Sequence, residues 1–320
     1  MDVNYRWALV AFSVLLMLQT GPTSAQILGF YDMKCPRAES LVSLTVQQAV
    51  ARDPTMAASI VRMHFHDCWV EGCDASVLLD SSPAWGPAEK EAGPNQSLRG
   101  FEVFDAAKAA VEAVCPGIVS CADIIALAAR DAIVAVGGPT WQVPTGRRDG
   151  TTSTATSAGL NIPSSLFTYS QLLMNFLNHG FSEDEMITLS GAHTIGRAHC
   201  SAFMGRLYPT VDPSLDPAYA AQLKARCLPG GNPGIVVPLD PGTPDIFDNS
   251  YYLNLGAGRG LMPSDAALLN SGFSTSISQQ NGQNGQFWTV KFANAMQRMG
   301  MMNLKLGLLG EIRTNCRVRN

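Results

Sequence analysis

Charge is scarce in this sequence, and neither sign is concentrated. Asp, Glu, Lys and Arg make up 15% of the 320 residues, and the formal net charge is -4. No Lys/Arg run stands out, which argues against nucleic acid or an anionic membrane surface as a partner. Long apolar runs are also missing. The stretch Trp7 to Leu18 (WALVAFSVLLML) falls short of the about 20 residues that a spanning helix needs. There is no Cys-x-x-Cys pair and no Cys2His2 spacing, so a structural zinc site fits poorly. Strand signals are few and short, and no period of about 20 to 50 residues repeats, which excludes solenoids and propellers. Disorder is excluded by the opposite feature, a hydrophobic content of 46%.

What is present begins with an export signal. Arg6 precedes the apolar stretch, and the small residues Thr23 and Ala25 follow it. This pattern predicts a signal peptide over residues 1–25 with cleavage before Gln26. A new N-terminal Gln26 can cyclise to pyroglutamate. Eight cysteines follow: Cys35, Cys68, Cys73, Cys115, Cys121, Cys200, Cys227 and Cys316. An even number behind a signal peptide reads as a disulfide framework made in an oxidising compartment. Spacing alone leaves the pairing open.

The remaining pattern is mainly α. Apolar residues recur at helical spacing in Arg37 to Arg52 and in Ala57 to Val70. Phe101 to Val114 and Ala122 to Val136 are rich in good helix formers, with Ser120 as a cap and Gly137-Gly138-Pro139 as a stop. Thr168 to Asn178 and Phe287 to Arg298 predict two more helices. Ser182-x-x-Glu185 is a capping-box pattern that opens another. Ser81 to Pro94, Pro229 to Pro244 and Asn270 to Gly285 read as loops inside one catalytic unit.

The segment from Arg62 to Ser76 carries the most chemistry. Arg62 and His66 share one face of a predicted helix. A base beside a fixed cation suits a reaction that moves a proton and separates charge. Asp67, Asp74 and Ser76 offer side-chain oxygens, and Val70 and Gly72 offer carbonyls. Such a loop of hard oxygen donors suits calcium, although a solvated acidic turn has the same composition. His64 and His66 would reach one metal only from a strand, the origin of a zinc-hydrolase alternative. His193 lies on one face with Met186 and Leu189, where a lone histidine is more often a core residue than a ligand.

Six motifs carry a family resemblance. HFHDCWVEGCDAS (64–76), PAEKEAGPN (87–95), VSCADIIALAARD (119–131), GRRDG (146–150), SGAHTIG (190–196) and FDNSYY (247–252) occur in this order. Together they resemble the plant secretory (class III) haem peroxidases over Gln26 to Asn320. The resemblance implies one haem peroxidase domain at 26–320, with two helical lobes sandwiching the haem and little β structure. It implies haem b, two calcium ions, hydrogen peroxide as oxidant and small phenolic donors.

Roles follow by matching positions. His66 would be the distal acid–base group, Arg62 its cationic partner, Asn95 the residue that sets its tautomer, and Phe65 a wall of the cavity. His193 would be the axial ligand of the haem iron and Asp265 its carboxylate partner, although Asp265 also suits a helix N-cap. One calcium would take Asp67, Val70, Gly72, Asp74 and Ser76, with Glu89 reached through water. The other would take Thr194, Asp240, Thr243, Ile246 and Asp248. Pro163 would lie near the donor site. The implied disulfides are Cys35–Cys115, Cys68–Cys73, Cys121–Cys316 and Cys200–Cys227.

Some features depart from the family pattern. Trp69 stands where Phe is usual. Gly93 and Leu166 occupy positions that carry aromatics in some members. One residue is missing between Asn95 and Arg99. With four residues after Cys316 and no apolar extension, the expected destination is the cell wall or apoplast. A monomer is expected, since no heptad or repeat suggests assembly. Two rivals remain testable. A non-catalytic secreted scaffold would have lost Arg62, His66 or Asn95, and a zinc hydrolase would need a third ligand.

Overall fold

The computed structural model describes residues 28–320, so the expected signal peptide and its cleavage site lie outside the described residues. Among the described residues there are twelve α-helices and one two-stranded sheet. The helices are α1 (Ala38–Arg52), α2 (Met56–Cys68), α3 (Phe101–Glu112), α4 (Cys121–Ala135), α5 (Ala155–Asn161) and α6 (Tyr169–Asn178), followed by α7 (Glu183–Ser190), α8 (Pro217–Arg226), α9 (Ser250–Gly256), α10 (Pro263–Ala267), α11 (Gly272–Gln283) and α12 (Gly285–Met299). The strands β1 (Arg197–His199) and β2 (Val236–Pro238) pair antiparallel, with Ala198 opposite Val237. The architecture is mainly helical with little β structure, as the resemblance implies.

α4 is the central helix. It is buried on almost every side, as expected of a helix that is apolar all round. The Ser120 hydroxyl accepts the Asp123 N–H at 3.1 Å and caps its start. At its end, Gly137 takes φ +90°, and the Gly138 N–H returns to the Ile133 carbonyl at 2.9 Å. α1, α2 and α3 pack around α4. A second group, α7, α9, α11 and α12, packs together and continues the same apolar core. The site described below draws its two histidines from these two groups.

One expected loop is a helix. Asn270 to Gly285 contains α11, opened by a cap from the Ser271 hydroxyl. Its inward face is Ser274, Ser278 and Asn281, all buried. These positions keep the helical period, but polar residues occupy them, so no apolar periodicity marks the segment. Part of another expected loop, Pro229 to Pro244, forms β2.

Four disulfides join Cys35–Cys115, Cys68–Cys73, Cys121–Cys316 and Cys200–Cys227, the pairing that the resemblance implies. The first and third close loops with sequence separations of 80 and 195. In the chain-entropy account, closures of that length each destabilise the unfolded chain by about 5 kcal/mol. Among the described residues, no helix is long and apolar enough to cross a membrane.

Candidate active site

α2 presents Arg62 and His66 one turn apart, and Arg62 Nε donates to His66 Nε2 at 3.1 Å. His66 Nδ1 lies 2.5 Å from Asn95 Oδ1, while Asn95 Nδ2 donates to the Glu89 carbonyl at 2.8 Å. The amide's NH2 is thus occupied, so its oxygen faces the imidazole. His66 therefore carries its proton on Nδ1 and leaves the Nε2 lone pair for base chemistry. Burial, and then the Arg62 charge, push the His66 pKa down to about 3, against a smaller opposing effect of Asn95. The imidazole is neutral near pH 7. Burial also lowers Arg62, to about 10, which leaves it cationic.

Arg62 has anchors that sequence reasoning missed. It donates to Ser97 Oγ at 3.0 Å and to the Pro94 carbonyl at 2.8 Å. One short segment, residues 93–98, thus holds both Arg62 and His66. Phe65 stands edge-on to His66, with ring centroids 5.6 Å apart. Trp69 is fully buried, stacks on His179 and Phe181, and donates to Asn175 Oδ1 at 2.8 Å. Those contacts explain how Trp is accommodated where Phe is usual. Gly93 is open, since a Cβ there would meet nothing within 4 Å, and Leu166 is exposed. Pro163 lies just beyond α5, partly exposed.

His193 sits just past the end of α7, in the 3-10 turn Gly191–Thr194. Gly191 makes that turn possible, because a Cβ there would lie 2.6 Å from both Trp288 and the Tyr252 hydroxyl. His193 Nδ1 lies 2.8 Å from Asp265 Oδ1. Asp265 is not the N-cap of its helix, as one reading had it: Met262 takes that place, and Asp265, at the third helical position, reaches back so that Oδ2 accepts the Met262 N–H at 2.9 Å. Burial would raise the Asp265 pKa. Interactions with His193, the Met262 N–H and the Tyr251 hydroxyl outweigh it and hold the carboxyl below its ordinary value. Among the described residues His193 Nε2 has no hydrogen-bond partner, and the side chain is 36% exposed. An imidazole oriented by a carboxylate, with its other nitrogen free, fits an iron ligand.

Two oxygen-rich clusters flank these histidines. Asp67, Asp74, Ser76 and Glu89 are all buried. Asp67 accepts the Ala75 N–H at 3.0 Å, and Asp74 accepts the Ser76 N–H at 3.0 Å. Among the described residues, neither carboxylate oxygen of Glu89 nor Ser76 Oγ has a hydrogen-bond partner, although Ser76 lies close enough to temper the Glu89 carboxyl. Burial, and then the neighbouring carboxylate charges, push Asp67 and Glu89 well above their ordinary values. Gly72 shapes the loop: its φ is +100°, and a Cβ would lie 2.6 Å from the Asn303 carbonyl oxygen.

In the second cluster Thr194 Oγ1 donates to Asp248 Oδ1 at 3.1 Å. Asp240 Oδ1 accepts N–H groups from Gly242 at 2.7 Å and Thr243 at 3.1 Å. Ile246 N–H closes the same turn onto the Thr243 carbonyl at 3.1 Å. Among the described residues, no three His, Cys, Asp or Glu side chains gather as a metal-binding group. The zinc alternative therefore lacks its third ligand. His64 is buried in the core, its Nδ1 3.6 Å from the disulfide-bonded Cys68 Sγ.

Residues 42–284 match the family model described as Peroxidase, and the chain belongs to that family. Its curated relatives are plant proteins of the class III type. It is 48% identical to "Peroxidase 5" of Vitis vinifera, over 99% of this chain and 97% of the relative. It is 47% identical to "Peroxidase 3" of Arabidopsis thaliana, over 97% and 98%. It is 46% identical to "Basic peroxidase" of Zinnia elegans, over 90% and 88%. The protein is thus an oxidoreductase that reduces hydrogen peroxide with haem while oxidising a donor.

One prediction follows from the burial of Asn95. Asn95-Gln96-Ser97 is an N-glycosylation sequon, yet Asn95 is 2% exposed and bonded to His66. Active protein from a glycosylating host is expected to carry no glycan at Asn95. Intact mass checks this, and a glycan there in active enzyme would overturn the role assigned to Asn95.

Proposed function

We propose that residues 26–320 form one secreted peroxidase domain that holds haem b between His66 and His193 and oxidises small phenolic donors. The observation that carries this reading is the pair of differently wired histidines. His66 is neutral, with its Nε2 lone pair beside Arg62. His193 is tied to Asp265, with Nε2 free. Haem, when bound, supplies the iron that receives peroxide and the oxidising equivalents that pass to the donor.

The chain's own residues do the rest. His66 takes a proton at Nε2 from the incoming peroxide and returns it to the leaving oxygen. Arg62 must release Nε2 for that step, and its cation then stabilises the charge that grows as the O–O bond breaks. Asn95 holds the tautomer throughout, and Phe65 walls the cavity. Asp265 makes His193 a stronger donor by pulling on its Nδ1 proton. Pro163 lies near the donor site, where Gly93 and Leu166 leave a surface with less aromatic character. A monomer in the cell wall or apoplast fits the chain, whose close relatives are plant peroxidases and whose cysteines are all paired.

Two calcium ions complete the proposal. Asp67, Asp74 and Ser76 with the carbonyls of Val70 and Gly72 would hold one, and Glu89 would reach it through water. Thr194, Asp240, Thr243, Ile246 and Asp248 would hold the other. The unpartnered Glu89 and Ser76 oxygens beside two buried aspartates support the first, because burying such acids without a cation is costly. Chelation is expected to lower both activity and melting temperature. At calcium a hundredfold above its Kd, each ion stabilises the fold by about 2.7 kcal/mol. Metal analysis with thermal melts checks this, and full activity without bound calcium would refute it.

The central test is an absorption spectrum of the purified protein, followed by peroxide and a phenol. A Soret band and peroxide-dependent phenol oxidation are expected. A protein that folds in the presence of haem and shows neither would overturn the proposal.

A further inference from the structure

The carboxylate of Asp265 serves two side-chain donors. His193 Nδ1 lies 2.8 Å from Oδ1, and the Tyr251 hydroxyl donates to the same oxygen at 3.1 Å. Asp265 and Tyr251 are each 3% exposed, so water does not compete for these bonds. The Tyr251 ring stands edge-on to His193, with centroids 6.0 Å apart, and packing keeps the hydroxyl on the carboxylate. The next residue is wired differently. Tyr252 donates to the Ile187 carbonyl at 2.7 Å and to the Thr188 carbonyl at 3.1 Å. Of two adjacent tyrosines on α9, only Tyr251 addresses Asp265.

Two donors on one carboxylate oxygen draw on the same electron density, so each weakens the other's bond. We propose that Tyr251 is a positioning residue that tempers the pull of Asp265 on the His193 Nδ1 proton and so sets how strongly His193 Nε2 donates to iron. This rests on the reading of His193 as the axial ligand. Tyr251 remains a donor throughout the working pH range, because burial and the Asp265 charge push its phenol well above the ordinary value. The carboxylate raises the ligand's basicity, and the phenol limits how far.

Tyr251→Phe removes the hydroxyl and keeps the ring. In the haem-free protein, the Nδ1 proton resonance of His193 should move downfield as its bond to Asp265 strengthens. In the loaded protein, the iron–histidine stretching frequency should rise. The oxidised form should be favoured about fivefold, the weight of one net hydrogen bond. Tyr252→Phe is the control and should move none of these. Asp265→Asn should lower the stretch by itself, and in that background Tyr251→Phe should add nothing. An Asp265→Asn protein with an unchanged stretch would overturn the axial-ligand reading and this proposal with it. If Asp265→Asn shifts the stretch while Tyr251→Phe does not, or if Tyr252→Phe shifts it as much, the role of Tyr251 alone is refuted. An unmoved proton resonance in haem-free Tyr251→Phe refutes it equally.

Discussion

His66→Ala is expected to slow the reaction with hydrogen peroxide by about 10²–10⁴, the usual cost of losing a positioned acid–base group. Haem should stay bound, since the proposed iron ligand lies on another element. The proposed joint action of Arg62 and His66, which are in contact at 3.1 Å, should add to that loss. Stopped-flow absorbance measures the rate. A wild-type rate in this variant would show that the distal assignment is wrong. The same residue sets the acid limit. A base works when unprotonated, and the His66 pKa lies near 3. The rate should therefore hold as pH falls from 7 towards 4 and drop as pH passes through about 3. Stability follows the same sign. An unfolded histidine takes up its proton near pH ~6.5, whereas the folded His66 does so only near 3. Between those values the unfolded chain binds more protons, so falling pH destabilises the fold.

His193→Ala is expected to cost the protein most of its haem, a larger structural loss with a different signature. The axial bond itself would be gone, so the spectrum of any retained haem should change as well. Haem content per chain, measured against wild type after identical purification, is the readout. Asp265 would be left buried with one fewer donor, since Met262 N–H and Tyr251 remain. Some thermal destabilisation should therefore accompany the haem loss. An unchanged spectrum would mean that another residue binds the iron, and the site assignment would fail at its centre.

Much of the site was legible where its parts are close in the chain. Arg62 and His66 lie one helical turn apart, so their contact follows from helix geometry. Ser120 and Ser182 announce helix starts through local capping chemistry, and α4 and α7 begin there. The disulfide pairing and the His193–Asp265 couple were reachable only through resemblance. Their partners lie far apart in the chain, at separations of 80 for Cys35–Cys115 and 72 for His193–Asp265, and no local pattern encodes such contacts. α11 was missed because its buried face is polar.

The sequence by itself determined the helical class, the helices with apolar or capped signals, the cysteine count of a disulfide framework and the Arg62–His66 pair. Each depends on neighbours within a turn or on composition. Only the tertiary structure decided that Ser97 and Pro94 anchor Arg62, that Tyr251 rather than Tyr252 reaches Asp265, and that the Glu89 carboxylate oxygens are buried with no hydrogen-bond donor among the described residues. Those facts arise where separate elements pack. The side chains that meet there are selected by three-dimensional fit, which periodicity and spacing along one chain do not record.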